Sequence, residues 1–328
     1  MTDAWVNQLQ SLNGRITTAL SDMGSRDQRR QILQQAGAIK PLRRLAGAEL
    51  QHVLGGRPLV GVDGSINTFG NQFPYYIDLL RAVAKPSQGD NVVLKDVHCP
   101  MPPEEEEDEE VAQRNDAEVR QRKLADLEVR AALAAIDLYR PAVILMDGPL
   151  VRFDMRTKDS FLILRDKVIT ENILLFGCIE NIESRVLRTV MGDAMPPGWR
   201  TRFDRDLLWD TLDYGEVLEI ARPAKGLSRQ DHDEEAARAV PIRTWFMRAS
   251  YDPGVVGLDM LEAQVDQAAG LIDSLFTLSP PDGRGIPIWL DLVDREVRLT
   301  DVELAAYLDL LEPGVKRLFR SKRDARFY

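Results

Sequence analysis

Three carboxylates stand out by where they fall in the chain. Asp63 ends the run Pro58-Leu59-Val60-Gly61-Val62, and Asp147 ends the run Ala142-Val143-Ile144-Leu145-Met146; each is followed by a glycine. Glu128 lies between them in sequence, within Leu127-Glu128-Val129-Arg130-Ala131-Ala132. Carboxylate oxygens are the ligands that hard divalent ions such as Mg²⁺ and Mn²⁺ take. Two such ions can activate an attacking water and neutralise a leaving oxygen, so a phosphodiester can be cut without a side-chain nucleophile. Asp63 and Asp147 read as acids at the ends of buried strands, although an ordinary turn aspartate carries the same signature. Glu128 lies beside the apolar stripe of a helix, and Leu124, Ala125, Ala131 and Ala132, three and four positions away, include no base. A buried carboxylate there needs a partner, either a metal or a base from elsewhere in the fold.

Further acids are Asp291 and Asp294 in Ile286-Pro287-Ile288-Trp289-Leu290-Asp291-Leu292-Val293-Asp294. Read as a strand, positions three apart face opposite ways, so at most one of the two turns inward. Lys158, Lys167, Arg185, Arg188, Arg200 and Arg202 are candidates to guide a phosphate backbone, while the ordinary role of scattered bases is solubility. Other chemistries find no support. There is no GxSxG, no Walker A pattern, and the three histidines, His52, His98 and His232, make no catalytic pair. The acidic run at 104–110 reads as a solvated face rather than a metal site.

The elements that must position these acids follow from periodicity. Residues 1–56 read as a polar helical arm with a break at Ile39-Lys40-Pro41-Leu42. Strands are expected at 58–63, within 73–84 and within 91–98, forming a meander. A long helix spans about 110–138, with a stripe at 124, 127, 131, 134 and 138, and Pro141 ends it. The apolar run 142–146 suits the middle of a sheet covered on both sides. Beyond it the pattern predicts a helix over 158–173, a strand over 174–179, and short helices over 181–190 and 204–212. The stretch 222–238 reads as a surface excursion, and 242–249 with 254–258 as a hairpin. A helix is expected over 260–275, a strand within 285–293, and a helix over 301–311 before a basic tail.

Bulk properties limit the classes. A chain of 328 residues that is 44% hydrophobic can bury a sizeable core. Two cysteines, Cys99 and Cys178, exclude a disulfide framework or a four-cysteine zinc site. The start lacks the pattern of a signal peptide and no run is long enough to span a membrane, so a cytoplasmic protein is expected. The net charge of −10 argues against a protein that coats nucleic acid, yet much of it is local, and the C-terminus is basic through Lys316, Arg317, Arg320, Lys322, Arg323 and Arg326.

Gly61-Val62-Asp63-Gly64-Ser65, the helix segment 127–136, and Ile144-Leu145-Met146-Asp147-Gly148-Pro149-Leu150, in this order and spacing, resemble the NurA nuclease family. The resemblance implies an α/β fold with an RNase H-like mixed β-sheet core flanked by helices over about 57–300, between the N-terminal arm (1–56) and a C-terminal helix and tail (301–328). It implies Mn²⁺ or Mg²⁺, two ions, at Asp63, Glu128 and Asp147, with single-strand endonuclease and 5′-to-3′ exonuclease activity on DNA in end resection. It also implies a homodimer that docks on a hexameric HerA-type ATPase translocase. The chain departs from the family twice. Glu180-Asn181-Ile182-Glu183 stands where a lysine is usual, leaving Arg185, with Arg188 nearby, as the candidate DNA contact. Asp294 stands where a histidine is usual, and as a hard-ion ligand it is the candidate fourth carboxylate. Two alternatives stay open: a catalytically weak adaptor that clamps DNA or docks a motor, and a related enzyme acting on RNA or a hybrid.

Overall fold

A computed structural model of the chain describes residues 4–100, 108–221, 240–268 and 270–319. The acidic residues 104–107, the stretch 222–238, and Arg320, Lys322, Arg323 and Arg326 lie outside the described residues. In chain order the elements are α1 (Ala4–Ser21), α2 (Arg26–Leu33), β1 (Gly37–Pro41), α3 (Gly47–Val53), β2 (Leu59–Gln72), β3 (Tyr75–Pro86), β4 (Val92–His98) and α4 (Glu109–Tyr139). They continue with β5 (Val143–Asp147), α5 (Leu150–Arg156), α6 (Lys158–Thr170), β6 (Leu174–Ile179), α7 (Val186–Met191), α8 (Asp204–Leu208), β7 (Glu216–Ile220), β8 (Ile242–Arg248) and β9 (Val256–Leu261). The last are α9 (Leu271–Leu278), α10 (Ile288–Val297), α11 (Asp301–Leu308) and α12 (Pro313–Phe319).

The chain divides into two compact units, each assembled from separated segments. One unit comprises Met1–Leu45, Cys178–Val265 and Ala269–Pro287. Its strands run in the order β1-β7-β8-β9, antiparallel throughout, over a core that includes Leu33, Leu187, Trp199, Leu207, Leu218 and Phe246. The other unit comprises Ala46–Gly177, Asp266–Ala268 and Ile288–Tyr328. It carries the strand order β6-β5-β2-β3-β4, with β2, β3 and β4 as an antiparallel meander and β5 parallel to β2.

Helices cover both faces of this second sheet, and two glycines of β2 set the distance. A Cβ on Gly61 would come 2.9 Å from Val293 Cγ2 and 3.0 Å from Trp289 Cδ1, both on α10. A Cβ on Gly64 would come 2.5 Å from Glu128 Oε1 and 2.8 Å from Leu124 Cδ1, both on α4. Positions three apart on a strand face opposite ways. The fold is therefore a mixed α/β sheet with α10 against one face of β2 and α4 against the other.

Several expectations change. β2 does not stop at Asp63 but runs on for nine residues to Gln72, because Ile66, Thr68 and Phe69 keep pairing with β3. Gly70, at φ +90°, lies in the register shift between Phe69 and Gln72 rather than in a separate turn. Residues 285–293 are not a strand: Leu290, Val293 and Val297 are buried at helical spacing on α10. The expected helix over 260–275 is instead the end of β9, a 3₁₀ segment and α9. The break in the N-terminal arm is strand β1, paired with β7, which composition did not reveal. On α4, Leu138 is 66% exposed, and the buried face runs through Ala125, Ala132 and Ala135, small side chains that let the helix lie close to the sheet.

Candidate active site

Strands β2 and β5 run parallel with Val62 opposite Met146, which sets Asp63 and Asp147 side by side one position further on. The Asp147 carboxyl acts on Asp63 mainly through its charge, and to a smaller extent through a side-chain hydrogen bond. Burial pushes Asp63 up to about 7, the Asp147 charge adds to it, the Gly64 N–H opposes it, and the Asp294 charge contributes further. That N–H donates to Asp63 Oδ1 at 2.6 Å. Asp147 ends β5 as expected, and Gly148, at φ +101°, turns the chain into α5. A Cβ on Gly177 of β6 would come 2.6 Å from the Gly148 carbonyl, so this turn is clamped against the neighbouring strand by a second glycine.

Glu128 is 2% exposed and reaches the site from α4. It is not without a base. Arg152, one turn into α5, donates from Nη2 to Glu128 Oε2 at 2.5 Å and to the Asp147 carbonyl at 3.1 Å, with its guanidinium 4.4 Å from the centre of the Phe153 ring. Burial pushes Glu128 up to about 8, Arg152 pulls it down, and the Asp63 and Asp147 charges raise it again. The base that the neighbours on α4 lack is thus supplied five residues after Asp147. No local pattern marks it, because only the packing of α5 against α4 brings Arg152 to Glu128.

Asp294 lies on α10 and is held by Arg298, whose Nη2 and Nε donate to Asp294 Oδ1 at 2.8 and 3.1 Å. Because this segment is helical, Asp291 and Asp294 share a broad face, so the opposite-facing expectation for a strand does not apply. Arg185 and Arg188 belong to the other compact unit, at the start of and within α7. Arg185 stacks 4.8 Å from the Phe203 ring centre, and Glu180 in the same unit accepts from Arg284 at 2.8 Å. Lys167 is paired with Asp137.

The structure thus gathers Asp63, Asp147 and Glu128 into one electrostatic group with Asp294 acting on it. The donor chemistry fits a hard divalent ion: the groups offer oxygen ligands, with Asp63 and Glu128 buried and Asp147 half-buried. Among the described residues, however, no three His, Cys, Asp or Glu side chains converge tightly enough to hold a metal ion, and Glu128 is turned to Arg152. Among the described residues, no helix is long and apolar enough to cross a membrane.

No curated protein matches the chain. Among solved structures it is similar to Ciona intestinalis endonuclease V in complex with a 24mer DNA, at TM-score 0.39 and 11% identity over 86% of this chain and 96% of that one. It is similar also to Bacillus subtilis endonuclease V, at TM-score 0.38 and 11% identity over 88% and 98%. A third is the C-terminal lobe of a budding yeast Argonaute, at TM-score 0.36 and 9% identity over 83% and 54%. The family model described as the NurA domain matches residues 57–299, which include all four candidate carboxylates and most of the chain, and the chain therefore belongs to the NurA nuclease family.

Proposed function

We propose that this chain is a metal-dependent deoxyribonuclease of RNase H-like architecture. The observation that carries the reading is the placing of buried Asp63 next to half-buried Asp147 on the parallel strands β2 and β5, with buried Glu128 within electrostatic reach of both. A carboxylate pair of this kind is unfavourable for folding alone, and a divalent cation relieves the repulsion. Asp63 and Asp147 hold the metal once both are ionised. When bound, Mn²⁺ or Mg²⁺, as two ions, supplies the charge that activates water and stabilises the leaving oxygen. Glu128 completes the ligand set or orients the water, and Arg152 favours its ionised form against the effect of burial. Asp294 supports the site from α10, and Arg185 and Arg188 contact DNA phosphates.

In this reading the enzyme combines single-strand endonuclease with 5′-to-3′ exonuclease activity in DNA end resection. It works in the cytoplasm as a homodimer on a hexameric HerA-type translocase, the motor for which this chain has no Walker A loop. End-labelled single- and double-stranded DNA, with matched RNA, is incubated with Mn²⁺, Mg²⁺ or EDTA, with and without the translocase. Metal-dependent DNA cleavage that disappears in Asp63→Ala supports the proposal; cleavage that persists in the clean variant overturns it.

A second reading, a weak adaptor that clamps DNA or docks the motor, is favoured by the pairing of Glu128 with Arg152, Asp294 with Arg298 and Glu180 with Arg284. An adaptor binds no Mn²⁺ that Asp147→Ala abolishes.

A further inference from the structure

A second cluster of polar side chains lies on the same helix as Glu128. Arg120 is two turns before it on α4, and its Nε and Nη2 donate to Asp78 at 2.5 and 2.9 Å. Asp78 is completely buried. Thr68 donates to Asp78 at 2.6 Å and accepts from Arg120 Nη2 at 3.1 Å. The guanidinium also stacks 4.8 Å from the Tyr76 ring centre. The Tyr76 hydroxyl donates to Asp116, whose other oxygen meets His98 Nε2 at 2.7 Å. Thr68, Tyr76, Asp116 and Arg120, together with Phe73 and Gln113, line a cavity of about 300 Å³ between α4 and the β2–β3 hairpin.

The arrangement is built beyond what packing requires. A buried ion pair contributes little to stability compared with an apolar pair of similar volume, so holding a hairpin to a helix does not explain Asp78 and Arg120. What the pair does is fix one guanidinium at the cavity wall, with Nη1 free of any partner among the described residues. The lining does not suit a phosphate, because Asp78 balances Arg120 and Asp116 adds a further carboxylate. It does suit a nucleobase, whose π-face stacks on the half-buried Phe73 ring and whose edge meets the Gln113 amide and Arg120 Nη1. The volume is at the small end of ligand sites.

We propose that this cavity is a nucleobase subsite for single-stranded DNA, a proposal that rests on the nuclease reading for its distance to the cleaved bond. Arg120 and Glu128 are eight residues apart on one helix face, about 12 Å at 1.5 Å per residue. Thr68 and Gly64, which face them on β2, are four residues apart, about 13 Å at 3.3 Å per residue. Both separations are several times the ~3.4 Å step of a stacked strand. The base held here therefore belongs to a nucleotide removed from the scissile phosphate, not to either one flanking it.

The test uses the full chain and short single-stranded oligonucleotides carrying one abasic site at successive positions. Binding is read by fluorescence anisotropy in EDTA, and cleavage separately with Mn²⁺. Phe73→Ala and Gln113→Ala are the variants, since Arg120→Ala would leave Asp78 buried without its base; Gln113 is exposed, so its variant remains informative if Phe73→Ala does not fold. Each variant is expected to weaken binding roughly tenfold. One abasic position should cost the wild type the same factor and cost Phe73→Ala nothing further. Wild-type binding by both variants, or abasic losses that add to the variants' losses at every position, would overturn the subsite. Coupled binding without any cleavage would support the subsite while contradicting the nuclease reading, so the two failures are distinguishable.

Discussion

In the proposed mechanism Asp63 and Asp147 hold the metal, so their substitution tests it at the residue scale. Asp63→Asn and Asp147→Asn are each expected to lower metal-dependent cleavage by more than about a hundredfold with little loss of folding, measured as initial rates on labelled single-stranded DNA. Arg152 predicts the opposite balance. Removing it leaves Glu128 buried without its base, so Arg152→Ala should destabilise the fold by about 3–5 kcal/mol in urea titrations. Adding Glu128→Gln should recover most of that loss at about pH 8, where the carboxyl would otherwise have to ionise in a buried site; no recovery in the double variant would mean that the guanidinium matters mainly through Phe153 and the Asp147 carbonyl. At this scale the position of Asp147 at the end of its apolar run was legible, whereas Asp63 lies within β2, which runs on to Gln72. Arg152 was not, because its partner lies 24 residues away in sequence and only the packing of α5 against α4 brings the two together.

The glycines of β2 connect the elements to the site. Gly61 admits α10 and Gly64 admits the carboxyl end of Glu128, so the Gly-Val-Asp-Gly sequence is a spacing device as much as a turn signal. Gly64→Ala should displace Glu128, costing about 1–3 kcal/mol of stability and lowering cleavage, while Ala at the open position Gly47 should do neither. Thermal unfolding and rates on the same preparations check this, and a Gly64→Ala protein of normal rate would refute the role given to Glu128. Periodicity served well where one signal dominated: the β2–β3–β4 meander, the long α4, β5 and the β8–β9 hairpin. It failed at 288–297, where a segment of six apolar and four charged residues follows a proline and reads as a strand, whereas the burial of Leu290, Val293 and Val297 on one face marks a helix. The pairing of β1 with β7 joins residues about 180 positions apart, a contact that no local pattern encodes.

For the molecule as a whole, the raised carboxylates make stability depend on pH in an unusual direction. Asp63 is raised from 3.8 to about 7 and Glu128 from 4.5 to about 8, so the folded chain holds more protons than the unfolded chain between those values. Their contribution is fully present below about pH 4 and is lost as pH climbs to about 8. With EDTA, the melting temperature should therefore fall from about pH 5 to about pH 8, and the rise produced by Mn²⁺ should be larger at about pH 8 than at about pH 6. A melting temperature that climbs over this range would show that the carboxylates are ionised without metal. The division into two units was beyond sequence reading, because each unit is assembled from segments far apart in the chain, a pairing that no local pattern encodes.

The most direct measurement is a Mn²⁺ titration followed by electron paramagnetic resonance, comparing the wild type with Asp63→Asn and Asp147→Asn at about pH 8. Saturable binding in the wild type that either substitution abolishes is the predicted result. Equal binding by all three proteins, or none by the folded wild type, would contradict the assignment of the metal centre to Asp63 and Asp147.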